Sequence, residues 1–366
     1  MTEEEIKEVE EKKPLHLRYD WLDQFRGVVV LLLIISTITW PLSADLAGGE
    51  ALIGPTFLNH GWRYADYNPA MITIIDIGQQ IFMFVMGFVA YIAFNSRLEK
   101  KGAKEAWKHG LIRVAILYII AFLDDGLIGG DLLEGGIGWI SNVLYNGTLA
   151  NLAIGSLAAM VGIYLIKDAD KRMFLGIGIL GIHAIFYEIP IFDTYFSTGG
   201  GIDFPFNALN HAAIAIVATC FSQWLKMDPD DIKVGFKKRI LPASSLAFIG
   251  CYCVDFLQQA EHHDVTTSLA LMAIGTAGFM VAIFYGFEKL NFKVPALSEM
   301  GRNLLLLFIL SFIFGDQLAS LMLNTLGRDF LAANPLISLG VLGILPIAIE
   351  AGIAMLLAKK NIIIKI

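Results

Sequence analysis

Asp76, Gln79 and Gln80, and much later Asn210 and His211, are the residues of this chain best suited to handle a proton and hold a polar molecule, because each stands inside an otherwise apolar run. The first three open residues 72–88, ITIIDIGQQIFMFVMGF. With Met83 and Gly87 they recur at i, i+3, i+4, i+7 and i+11, which is one stripe of a helix. Asn207, Asn210 and His211 share a face at i, i+3 and i+4 in a second run, and Asp255, Gln258 and Gln259 repeat that spacing in a third. A carboxylate at the centre of a membrane helix costs about 2.5–3.5 kcal/mol, so such residues turn inward and mark a pathway or a site. His183, alone in its run, reads as a core histidine instead.

These residues need apolar helices to carry them, and the composition supplies them. Of 366 residues 56% are hydrophobic and only 17% charged, with a mean hydropathy of +0.64, too apolar for a soluble protein and too regularly interrupted for a single anchor. The expected fold class is all-α, a polytopic membrane protein of about ten transmembrane helices over residues 27–42, 71–94, 111–128, 143–166, 173–190, 206–225, 240–258, 266–287, 304–323 and 335–358. Residues 1–18 form a charged tail without the pattern of a cleaved signal peptide, and 19–366 form one transmembrane domain. Cys220, Cys251 and Cys253 lie in apolar segments without ligand spacing, so no metal is expected. A net charge of −7 excludes a general nucleic-acid surface.

Ten spans put both termini on one side, and the bases say which. Of 27 Lys and Arg residues only Arg63 and Arg328 fall outside the tails and one alternate set of connections. By the positive-inside rule those connections, residues 100–108 among them, and both termini are cytoplasmic. The protein is then an integral multi-pass membrane protein, of the plasma (inner) membrane if prokaryotic. The polar stripes fall in the outer halves of their spans, a common level that reads as a hydrated cavity opening away from the cytoplasm. Glu350, in the inner half of the last span, is the exception.

Four blocks resemble the heparan-alpha-glucosaminide N-acetyltransferase family and its relatives among transmembrane acyltransferases. Tyr19 to Gly27 carries LDxFRG at the entry to span one; Asp76 followed by FxFxMG at residues 82–87 is similar to the family's second span; a basic stretch ends in Arg113 before span three; and PALSEMGRN at 295–303 resembles its PLxxxGxN entry to a late span. The resemblance implies transfer of an acyl group, acetyl first of all, from cytoplasmic acyl-CoA to a sugar or other polar acceptor on the far side. It makes acyl-CoA the co-substrate and a homodimer possible. It also implies a catalytic histidine in the first outer loop, which here reads Asn59-His60-Gly61-Trp62 without the family's WNG; the family's Gln-Arg pair before span four is absent as well.

Acyl transfer from a thioester needs a base with a pKa near neutrality and donors for the developing oxyanion. His60 and Asp76 are the catalytic candidates, with His211 in reserve. Gln79, Gln80, Asn210, Asp255 and Asn303 are candidates for the acceptor. Asp23, Arg26 and Arg113, with the lysines of 100–108, are candidates to hold CoA, since guanidiniums match phosphate oxygens bidentately. Two other classes remain open, a transporter and a non-catalytic relative that binds a glycan or lipid.

The topology is testable directly. Cysteine introduced at Asn59 should react on intact cells with a membrane-impermeant thiol reagent and cysteine at Lys104 should not; the reverse pattern overturns it.

Overall fold

The computed structural model describes residues 19–35, 72–123, 148–189, 206–226, 235–260 and 265–362. Every element among them is helical. In chain order they are α1 (Asp20–Ile34), α2 (Gly78–Ala90), α3 (Ser96–Ala121), α4 (Thr148–Leu165), α5 (Ala169–Tyr187), α6 (Phe206–Lys226), α7 (Leu241–Asp255), α8 (Thr267–Lys289), α9 (Pro295–Arg302), α10 (Leu304–Leu326), α11 (Arg328–Ala333), α12 (Pro335–Ser338) and α13 (Leu345–Lys359). A helix occupies the described part of each of the ten expected segments. Five stretches, Gly78–Ala121, Thr148–Leu165, Ala208–Leu225, Thr267–Lys289 and Pro335–Lys359, are long and apolar enough to cross a membrane.

The polar stripe belongs to a helix packed on four others. α2 packs on α1, α4, α6 and α8, and Phe82, Phe84 and Phe88 are fully buried. Their rings meet one neighbour each in edge-to-face contact: Phe82 with Phe308 of α10, Phe84 with Phe221 of α6, and Phe88 with Trp21 of α1. Gly87 lets the α2 backbone reach that of α6, since a β-carbon there would overlap the Ala215 carbonyl oxygen.

The connection at 295–303 is a helix, not the plain entry segment its sequence suggests. Pro295 starts it from the extended Val294, with a φ already suited to the first turn. Two of the sequence blocks meet here: α9 lies across α1 so closely that β-carbons on Gly27 and Gly301 would overlap the carbonyl oxygens of Leu297 and Asp23. Gln24 fixes the chain entering α9, its Oε1 accepting from Val294 N at 2.9 Å and its Nε2 donating to the Phe292 carbonyl at 3.5 Å. Lys293 pairs with Asp20 at 2.6 Å, and that hydrogen bond holds the ammonium above its usual range.

Residues 100–108 are likewise helical. Lys, Glu and Ala are strong helix formers, and only Gly102, at φ 81° and ψ 172°, interrupts α3. There the chain folds back, placing Trp107 on Phe94. α2 runs into α3 through a π-helical turn, Tyr91–Asn95. Two further π-helical segments, Phe236–Ile240 and Leu339–Ile344, end just ahead of Pro242 and Pro346. The prolines, lacking an N–H, account for the wider turns before them.

Arg172 is fully buried at the start of α5. Its Nη1 donates to the Ile166 carbonyl beyond α4 at 2.6 Å, its Nε to Thr219 Oγ1 at 2.7 Å, and its Nη2 to Gln223 Oε1 at 2.6 Å. The guanidinium also lies 5.4 Å from the Tyr91 ring centroid. A cation at helix C-termini meets the negative end of their dipoles, which offsets its burial.

The α1–α9 crossing yields a prediction. Gly301→Ala meets backbone that cannot rotate away, so the helices part and the protein loses about 1–3 kcal/mol. The thermal midpoint of the detergent-solubilised protein should fall; an unchanged midpoint would show that the two helices separate freely.

Candidate functional site

Three of the predicted polar residues stand on helices whose register can be read from their contacts. Gly155 of α4 faces Met83 of α2, and the His211 carbonyl oxygen of α6 lies 3.4 Å from where a β-carbon on Gly155 would sit. Met83 and His211 are each four residues before the Gly87–Ala215 contact, so α2 and α6 run parallel and level. α4 runs the same way, because Met86 and Phe94, further along α2 and its continuation, line one pocket with Ser156 and Met160. At about 1.5 Å rise per residue, Gln80 and Asn151 lie about one helical turn above the level of Met83, Gly155 and His211, with Asn210 between, so the four fall in a layer about one turn thick on α2, α4 and α6. All four are buried.

Gln80 stands out there. It is 0% exposed, and neither its Oε1 nor its Nε2 has a hydrogen-bond partner among the described residues. Asn210 donates to the Val265 carbonyl at 2.6 Å, leaving Oδ1 unpartnered among those residues. A buried amide without partners costs about 1–3 kcal/mol, so the layer is built to receive polar atoms.

Toward the other end of α2 lies a pocket of about 490 Å³, open mouth included. Its interior is apolar, from Met86, Ala90, Phe94, Val114, Leu117 and Met160, and it carries Arg97, His109 and Arg113 as well as Ser156. Arg97 Nη1 donates to the Ala93 carbonyl at 3.2 Å. Among the described residues, the charges that act on Arg113 are two more guanidiniums, Arg26 and Arg97. Arg97 and Arg113 thus stand on the lining of an otherwise apolar pocket, or throat, with Arg26 near enough to act on Arg113, a set of charges suited to an anion. The throat's inner residues, Met86 and Ser156, are within a helical turn of Met83 and Gly155, at the edge of the Gln80 layer.

Of the sequence-predicted residues, Gln80, Asn210 and His211 are buried within about one helical turn of a common level on α2 and α6, with Gln79 half-buried one position away on α2. Asp76 is buried at the head of α2, where its Oδ2 accepts from Thr73 N at 2.8 Å and Thr73 Oγ1 at 3.1 Å. Those bonds close the turn that precedes α2. Asp255 accepts from Ala260 N at 2.6 Å and shapes the turn after α7. In the same turn Gln258 Oε1 accepts from Thr267 N at 2.8 Å, and His183 Nδ1 meets Thr267 Oγ1 at 2.9 Å, a core role. Arg26 lies 3.3 Å from Asp23. Asn303, where α9 meets α10, sits at that same end of the molecule and not in the Gln80 layer. Glu350 is buried on α13. His60 lies outside the described residues, as do Asn59, Arg63, Asp66, Asp124 and Asp125.

The pocket's Arg97, His109 and Ser156 and the layer's Asn151 escaped sequence reasoning as site residues. His109 is hidden in a run of bases, and Ser156 has no polar neighbour at helical spacing to reveal it.

Two comparisons with known proteins bear on this arrangement. The family model described as an acyltransferase domain matches residues 19–354, nearly the whole chain. A search of curated proteins finds no match to it.

Gln80 provides the test of the buried layer. If its amide is kept for a ligand rather than for the scaffold, Gln80→Leu removes an unsatisfied group and should raise stability by about 1–3 kcal/mol, read as a higher thermal midpoint of the ligand-free protein. A lower midpoint would mean that the amide serves the fold.

Proposed function

The chain belongs to the acyltransferase family whose domain model spans it, and from that premise we propose that it moves an acyl group, acetyl first of all, from cytoplasmic acyl-CoA to a sugar or other polar acceptor on the far side of the membrane. Ten crossings with both termini cytoplasmic complete the reading, on the strength of the basic connections. The finer likeness, to the heparan-alpha-glucosaminide N-acetyltransferases, rests on the four sequence blocks alone.

One observation carries the proposal: arginines line an apolar throat whose innermost residues, Met86 and Ser156, come within a helical turn of the Met83–Gly155 contact, with the buried amides and imidazole next along the same helices. CoA is a polyanion on a long flexible arm that ends in a thioester. Arg26, Arg97 and Arg113 suit its phosphates, with Asp23 orienting Arg26 until phosphate replaces it. The apolar throat suits the arm, and the thioester then arrives beside Gln80 and His211. There a base takes the proton of the acceptor hydroxyl or amine, whose oxygen or nitrogen attacks the thioester carbonyl carbon. The Gln80 amide can donate to the oxyanion; the C–S bond breaks, and the CoA thiolate leaves and takes up a proton. His211 is the base that the packing supports, and His60 is the one that the family resemblance supports. Asp76 holds the head of α2 and so the position of Gln79 and Gln80.

The experiment separates the two ends. Arg113→Ala should weaken CoA binding to the purified protein, and added salt should weaken what remains, while leaving the bound complex competent. His211→Ala should leave CoA binding near the wild-type value and cut acetyl transfer by about 10²–10⁴-fold, the span of general-base contributions. Should His60→Ala lose transfer while His211→Ala keeps it, the base lies in the outer loop. Wild-type protein that binds no CoA would overturn the reading.

A further inference from the structure

Between the throat and the buried layer stands one shell of side chains. The innermost throat residues named above are Met86 and Ser156. The next shell toward Gln80 contains Met83, fully buried, and Gly155, whose added β-carbon would collide with the Met83 sulfur and lie 2.9 Å from its terminal methyl. At the same level is the His211 carbonyl oxygen, 3.4 Å from the same point, and the Gln80 amide follows about one turn further along.

The two partners are unlike in a way that matters. Methionine is unbranched, with three rotatable bonds, and can change shape without moving its helix. Glycine offers only backbone. One turn away, the Gly87–Ala215 contact is backbone against backbone and cannot yield without moving α2 from α6. Rotation of the Met83 side chain is therefore the least disruptive way to open the throat to the layer, and the space it vacates is about that of a few methylene groups.

Resting on the acyl-transfer reading above, we propose that Met83, seated on Gly155, is the residue that selects acyl length: it lets a short acyl group pass into the Gln80 layer and turns longer chains back. It makes no bond to the reacting atoms. Its role is steric, exerted on the substituent of the thioester carbonyl while the CoA end stays in the arginine mouth.

The test compares acetyl-, butyryl- and hexanoyl-CoA as donors for the wild type, Met83→Ala and Gly155→Ala, with CoA binding measured on each. Met83→Ala should raise kcat/KM for the longer donors relative to acetyl-CoA by roughly tenfold or more, the scale on which a few methylenes discriminate, with CoA affinity unchanged. Gly155→Ala, which drives the thioether into the passage, should lower transfer from every donor while CoA affinity holds. Met83→Ala protein that binds CoA normally yet keeps the wild-type donor ratios overturns the selectivity role. If that variant fails to fold, unchanged transfer in Gly155→Ala overturns it instead. Wild type that binds no CoA removes the donor reading and this role with it, whereas wild type that binds and transfers leaves the selectivity result to stand alone.

Discussion

Inside a bilayer, lipid tails are as apolar as leucine, so helices are not drawn together by the hydrophobic effect and must gain their contact from close approach. The structure depends on how this constraint is met. Gly87 admits the α6 backbone, Gly27 and Gly301 admit α9 and α1 to one another, and Gly275 and Gly278 of α8 accept Phe248 and Ser244 of α7. Each contact fixes a register as well as a distance. With Gly87 level with Ala215, Gln80 falls within about one helical turn of Asn210 and His211.

That layer and the arginine mouth divide the chemistry by dielectric. The guanidiniums of Arg97 and Arg113 are half-buried on the pocket lining, and the throat that follows is apolar. Deeper in, amides and an imidazole replace water as hydrogen-bonding groups in surroundings where each such bond is electrostatically stronger. The carboxylate nearest this layer in sequence, Asp76, accepts from Thr73. A carbonyl developing negative charge there would meet donors already oriented.

Much of this was legible from the chain. The spacing 79, 80, 83, 87 is a helical stripe, and its apolar surroundings forced it inward; Gln80, Met83 and Gly87 are all buried on α2. Periodicity names the face of a helix but not the neighbour it meets, so it gives no sign that Asp255 shapes a turn or that Asn303 closes α9. The throat is made of residues ordinary in any membrane helix. Ser156 becomes notable only beside Arg113, and that proximity depends on the reversal at Gly102, whose φ is a backbone fact. Thr73 and Asp76 did carry a readable signal, a threonine three residues before an acid. The charge of Asp76 outweighed it in the reading.

Arg172 gathers the carbonyl end of α4, the side chains of α6 and the aromatic ring that follows α2 around one buried cation at the root of α5. A carrier working by alternating access tilts one group of helices against another and opens that end once in every cycle. Here such a tilt would strand a desolvated guanidinium from its acceptors at each stroke, a penalty that recurs with turnover. The four helices behave instead as a fixed frame. On the acyl-transfer reading, what would travel through that frame is a chemical group and not a whole solute, and the frame itself has no need to tilt.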